Sequence, residues 1–232
     1  MRNFGRAVVL MAGLGACNRT PSPSGDPLET GTRSGDARED VRYLALGDSF
    51  TAGTGNLPAE AFPSRLAERW RATRRVTLEN LAVNGYTTDD VASREIPEVG
   101  AFHPTLVTLA IGANDRVRGS TADAYRGHVR AILHAIVDSG VPPLHIVTLP
   151  QPEWSSSPAA ASFGDPQKLG ADIVAFNAVL REETAAVGAR YVDLFPLMHR
   201  QAEAKSLASD GLHPSARAHD EWAAALFEAI AP

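Results

Sequence analysis

Cysteine is all but missing from this chain. Cys17 is the only one in 232 residues, so no disulfide can form within the chain and the fold must be held by an apolar core. A large excess of one charge is missing too. The 22 lysines and arginines stand against 27 aspartates and glutamates, and the formal net charge of -5 is spread along the chain, which argues against a nucleic-acid groove. The apolar stretch at 7–16 is about half the length that a membrane-crossing helix needs. No metal-ligand spacing links the histidines: His103, His128, His134, His145, His199 and His219 read as satisfied or exposed imidazoles. Internal repeats are absent as well. What remains, with 44% apolar residues, is enough for one domain with a full core.

The N-terminus is set apart from that domain. Arg2 and Arg6 flank the short apolar run, which ends in Leu14-Gly15-Ala16-Cys17. Residues 1–16 have the layout of a secretory signal, and the ending resembles the lipobox of bacterial lipoproteins. That resemblance implies cleavage before Cys17, acylation of its thiol and a membrane anchor. It also implies an exported protein of the cell envelope, facing the periplasm or displayed at the surface. Residues 17–40 carry Pro21, Pro23 and Pro27 with several Gly and Ser and almost no large apolar side chains, so they read as a flexible tether. The folded domain is expected over 41–232.

From residue 41 short apolar strands alternate with amphipathic helices, the pattern of parallel βαβ units. Strands are expected at 41–46, 76–83, 105–111, 144–149 and 190–193. Helices are expected after Pro63, from Thr87 to just before Pro97, over 121–139, over 168–187 and over 215–230. The long connection at 150–166, rich in Pro, Ser and Ala but carrying Trp154 and Phe163, is expected to line a binding site. Right-handed crossovers then give a three-layer α/β/α sandwich around a five-stranded parallel sheet in the order 2-1-3-4-5. The loops after strands one, two and three meet at its C-terminal edge, where open α/β folds put their chemistry.

Four segments stand at such loop positions: Gly47-Asp48-Ser49-Phe50, Asn84-Gly85-Tyr86, Gly112-Ala113-Asn114-Asp115 and Asp210-Gly211-Leu212-His213. A serine just past a buried strand is a candidate nucleophile, and an alcohol needs a base within hydrogen-bond reach. His213 can take the Ser49 proton. Asp210, three residues earlier, can reach the other imidazole nitrogen and fix its tautomer. Asp48 and Asp115 read as braces for their loops. Position 51 is Thr, so the strand-one turn is not a Gly-x-Ser-x-Gly elbow, which argues against the α/β-hydrolase fold.

In this order and at these places the four segments resemble the SGNH/GDSL hydrolase family, over 42–231. The resemblance implies a flavodoxin-like fold and the same triad of Ser49, Asp210 and His213. It further implies an oxyanion hole made by the Ser49 amide, the Gly85 amide and the Asn114 side chain. No cofactor and no metal are expected. The implied activity is hydrolysis of carboxylic esters through an acyl-enzyme, by a broad esterase or a lysophospholipase-like enzyme. The substrate would be a small-molecule, lipid or polysaccharide ester. A carbohydrate O-acetylesterase or a thioesterase would use the same machinery. A non-catalytic envelope binding module is the contrasting expectation.

Overall fold

The computed structural model describes residues 40–230. The expected signal segment at 1–16, Cys17 and nearly all of the expected tether at 17–40 lie outside the described residues. Five parallel strands form one sheet in the order β2-β1-β3-β4-β5: β1 is Asp40–Gly47, β2 Arg75–Asn80, β3 Leu106–Ala110, β4 Ile146–Thr148 and β5 Arg190–Tyr191. The observed order is the expected one. Register runs from Tyr43 opposite Leu106 to Gly47 opposite Ala110 in the central β1–β3 pair.

The two-residue period of a strand sorts side chains to two faces. On β1, Val41, Tyr43 and Ala45 enter one apolar cluster with α2 (Phe62–Arg71), α8 (Phe195–Glu203) and α9 (Ala216–Ala229). Leu44 and Leu46 enter the other, with α4 (Ile96–Phe102), α6 (Ala122–Asp138) and α7 (Pro166–Ala186). All five residues of β3 are buried, as a strand covered on both sides must be. The edge strand β2 instead alternates exposed and half-buried positions. Thr121, Asp165 and Ser215 accept backbone amides at the starts of α6, α7 and α9, caps that contribute about 1 kcal/mol each.

Three helical segments depart from expectation. The segment after Thr87 does not stop before Pro97. A short α3 (Thr88–Asp90) passes through a wide turn, Val91–Glu95, into α4. Pro97 is the second residue of α4, directly after the wide turn in which the Ile96 amide reaches back five residues to the Val91 carbonyl. Neither α5 (Ala113–Val117) nor α8 is apparent in the apolar pattern, since α5 is little more than one turn and α8 opens on Phe195-Pro196. The connection at 150–166 contains a single 3-10 turn, Ala160–Phe163. Arg116 on α5 pins it by donating Nη1 to the Phe163 carbonyl (3.0 Å) and Nε to Asp172 on α7 (3.0 Å).

Candidate active site

β1 ends in a turn that only glycine can make. Gly47 has φ of 146°, and a Cβ there would sit 2.2 Å from the Ala110 carbonyl oxygen on the neighbouring strand. The chain then enters the short helix α1 (Ser49–Ala52). Asp48 caps it by accepting the Phe50 amide at 3.0 Å. Ser49 is the first residue of α1, so its amide is among the donors that the helix leaves unpaired.

The loop before α9 supplies the base. Residues 206–215 close on themselves, with the Ala208 amide donating to the His213 carbonyl (2.7 Å) and the Ser215 amide to the Ser206 carbonyl (3.0 Å). Inside this loop Asp210 Oδ1 accepts the amides of Leu212 (2.9 Å) and His213 (3.0 Å), and Oδ2 lies 2.7 Å from His213 Nδ1. Burial pushes the Asp210 carboxyl up. The His213 side chain and the two amides outweigh it, and the carboxyl ends below its ordinary range. His213 is buried, with its ring 5.3 Å from that of Phe50. Asn56 Nδ2 donates to the Pro214 carbonyl at 2.9 Å, tying this loop to the one after α1.

Ser49, Asn114 and His213 line one cavity of about 200 Å³. No hydrogen bond joins Ser49 to His213, and catalytic contacts of this kind commonly tighten only in the complex with substrate. Asn114, in the first turn of α5, donates Nδ2 to the Tyr86 carbonyl (2.9 Å), which fixes its amide plane and leaves the second N–H for another acceptor. Gly85 is not on the cavity lining, although Asn84 is. Gly85 has φ of 86° with nothing within 4 Å of where a Cβ would stand, and its carbonyl accepts from Arg118. Trp154 and Phe163 complete the lining, so the 150–166 connection does face this cavity. Of the other histidines, His219 is fully buried. Its Nδ1 accepts the Phe62 amide at 3.3 Å, and burial, with the His213 charge adding, pushes its pKa down to about 4. Among the described residues no group of His, Cys, Asp and Glu could hold a metal ion.

Sequence reasoning did not single out Glu95. It is 1% exposed, and its Oε2 accepts the Gly47 amide at 2.9 Å, directly beneath the serine turn. Asp48 is equally buried, and Asp48 Oδ2 and Glu95 Oε1 have no hydrogen-bond partner among the described residues. Burial pushes Glu95 up to about 8, with the charges of Asp48 and Asp90 adding. Burial also pushes Asp48 up to about 7 against the pull of the Phe50 amide. Asp115 is raised as well, chiefly by burial, although Thr88 bonds it through both N and Oγ1.

Acids raised in the folded state stabilise it fully below their unfolded pKa of about 4, and that contribution is lost as pH rises through the folded values. The melting temperature is therefore expected to fall between pH 5 and pH 9. Glu95→Gln keeps an acceptor for Gly47 but cannot ionise. It should flatten the fall and melt a few degrees above the parent at pH 9, about 2–4 °C for each kcal/mol recovered. Parallel melting curves across this range would refute the assignment.

A profile of the GDSL-like lipase/acylhydrolase family matches residues 45–221. An arylesterase of Vibrio mimicus is 32% identical over 101 residues, which are 43% of this chain and 50% of that protein. The thioesterase 1/protease 1/lysophospholipase L1 of Escherichia coli K12 is 27% identical over 101 residues, 44% of this chain and 48% of that protein. The chain spans about half the length of these curated relatives. Among solved structures, a lipase/acylhydrolase from Enterococcus faecalis superposes with a TM-score of 0.66 at 24% identity, covering 82% of this chain and 95% of that one. At that identity the likeness speaks to the fold alone.

Proposed function

The chain belongs to the GDSL-like lipase/acylhydrolase family, and from that premise we propose that it is a serine esterase working through an acyl-enzyme. One observation carries this reading. An imidazole held at 2.7 Å by a carboxylate stands on the wall of the cavity that Ser49 and Asn114 also line.

In the proposed cycle Ser49 Oγ attacks the ester carbonyl carbon and its proton passes to His213 Nε2. Asp210 accepts the Nδ1 hydrogen, so the imidazole presents Nε2 as base and its cation is stabilised once formed. The carbonyl oxygen becomes an oxyanion, met by the Ser49 amide and the Asn114 side chain. Collapse breaks the bond to the alcohol, which leaves with the proton from His213. Water then adds to the acyl-enzyme, giving its proton to His213, and the acid departs as Ser49 regains its hydrogen. Turnover of a p-nitrophenyl ester with a pre-steady-state burst of p-nitrophenol is the expected result where deacylation is the slower step. Failure to turn over any ester refutes the reading.

The same proposal puts the enzyme at the cell envelope on a lipid carried by Cys17. The support is the run ending in Leu14-Gly15-Ala16-Cys17. The mass of the mature N-terminus tests it, and an unmodified Cys17 in membrane-derived protein would refute it.

A further inference from the structure

Phe50, Trp154 and Leu212 each form part of two spaces. On one side is the cavity of about 200 Å³ that holds Ser49 and His213. On the other is a recess of about 20 Å³, whose far wall includes Met198 and Ala202 of α8 and Trp222 of α9. Trp154 is the largest of the three shared residues, and only 3% of it is exposed. Its ring meets Phe163 edge-on, with centroids 5.5 Å apart and an interplanar angle of 89°. Its Nε1 has no hydrogen-bond partner among the described residues, so packing alone holds the indole between the two spaces.

The size of the first cavity sets what fits in it. A cavity of about 150 Å³ is enough for benzene, so the part of an acyl group that this 200 Å³ pocket can enclose is about six carbons. Away from Ser49, Asn84, Asn114 and His213 its walls are apolar, formed by Phe50, Ala113, Val117, Trp154, Phe163 and Leu212, which suits the hydrocarbon half of an ester. We propose that Trp154 closes the end of the acyl site and restricts the enzyme to esters of short acids, butanoyl to hexanoyl or a single-ring aroyl group. Removing the indole joins the cavity to the recess beneath it. This proposal rests on the esterase reading and adds the substrate class to it.

The test is kcat/KM over p-nitrophenyl acetate, butyrate, hexanoate, octanoate and decanoate. The leaving group is constant, so ratios along the series read the acyl site and are insensitive to how much of a preparation is active. In the parent protein the optimum is expected at butyrate or hexanoate, with a fall of about tenfold or more by decanoate, since a methylene that misfits against a fixed wall costs that much. Trp154→Ala should move the optimum to octanoate or beyond and raise the decanoate-to-butyrate ratio about tenfold. Adding Ala202→Phe to that variant refills the recess from its far side and should restore the short-chain optimum. Trp154→Phe keeps an aromatic ring in the core and should shift the ratio in the same direction by less, which preserves the test if the alanine variant does not fold. A parent profile that is flat or rises to decanoate overturns the proposal. So does an unchanged profile in a Trp154 variant with native circular dichroism. In both cases butyrate is still turned over and the esterase reading stands. No turnover of any ester by the parent takes both readings down together.

Discussion

Ser49→Ala is expected to lower kcat for p-nitrophenyl butyrate by roughly 10⁶-fold, the scale on which a serine nucleophile and its base act as a unit. The turn that carries it should be unaffected. Its geometry rests on Gly47, whose φ of 146° and close approach to Ala110 place the chain, and on the Asp48 cap to Phe50. Among the described residues no hydrogen bond of the fold runs through the Ser49 hydroxyl. Circular dichroism and melting temperature should therefore match the parent. Butyrate turnover near the parent level would mean that some other group attacks the ester. A variant that lost its fold instead would show the hydroxyl to be structural.

Asp210→Asn is expected to lower kcat about 10⁴-fold, with little change in KM, because it presents the wrong group to His213. The amide oxygen of asparagine can still accept the Leu212 and His213 amides, now at 2.9 and 3.0 Å, so the loop keeps its shape. Its NH₂ group, however, would face His213 Nδ1, where the carboxylate now stands at 2.7 Å. That favours the tautomer with Nδ1 unprotonated, and the base then points a hydrogen at Ser49 instead of a lone pair. The Asp210 carboxyl is held below its ordinary range, so in the parent it is ionised at neutral pH. Asparagine removes that charge at every pH, and raising the pH should not rescue the variant. Full activity of Asp210→Asn would leave His213 oriented by something other than Asp210.

How far the sequence reveals this molecule follows from which interactions are local. The strand order is legible because buried parallel strands and amphipathic helices alternate with unmistakable periods, and β1 and β3 read directly as covered strands. The candidate site residues are legible because the chemistry proposed for them needs particular side chains at loop positions: Ser49 after β1, Asn114 after β3, and Asp210 and His213 before α9. Glu95 is not legible. A lone glutamate in a helical segment reads as solvated, and only the packing of that segment under Gly47 buries it. Pro97 misleads for a related reason, since its local rule marks a helix end and takes no account of a wide turn directly before it. Trp154 can be placed near the cavity by the length of its loop. Its position as a wall between two spaces depends on α8 and α9, which the loop's own sequence says nothing about.

The central claim is that Ser49 is a nucleophile activated in this cavity, and covalent capture tests it most directly. The protein is incubated with a fluorophosphonate, and the adduct is located by intact mass and peptide mapping. A single adduct is predicted, on the peptide containing Ser49, lost in Ser49→Ala and slowed in Asp210→Asn. No adduct, or one on a serine outside this cavity, would contradict the claim.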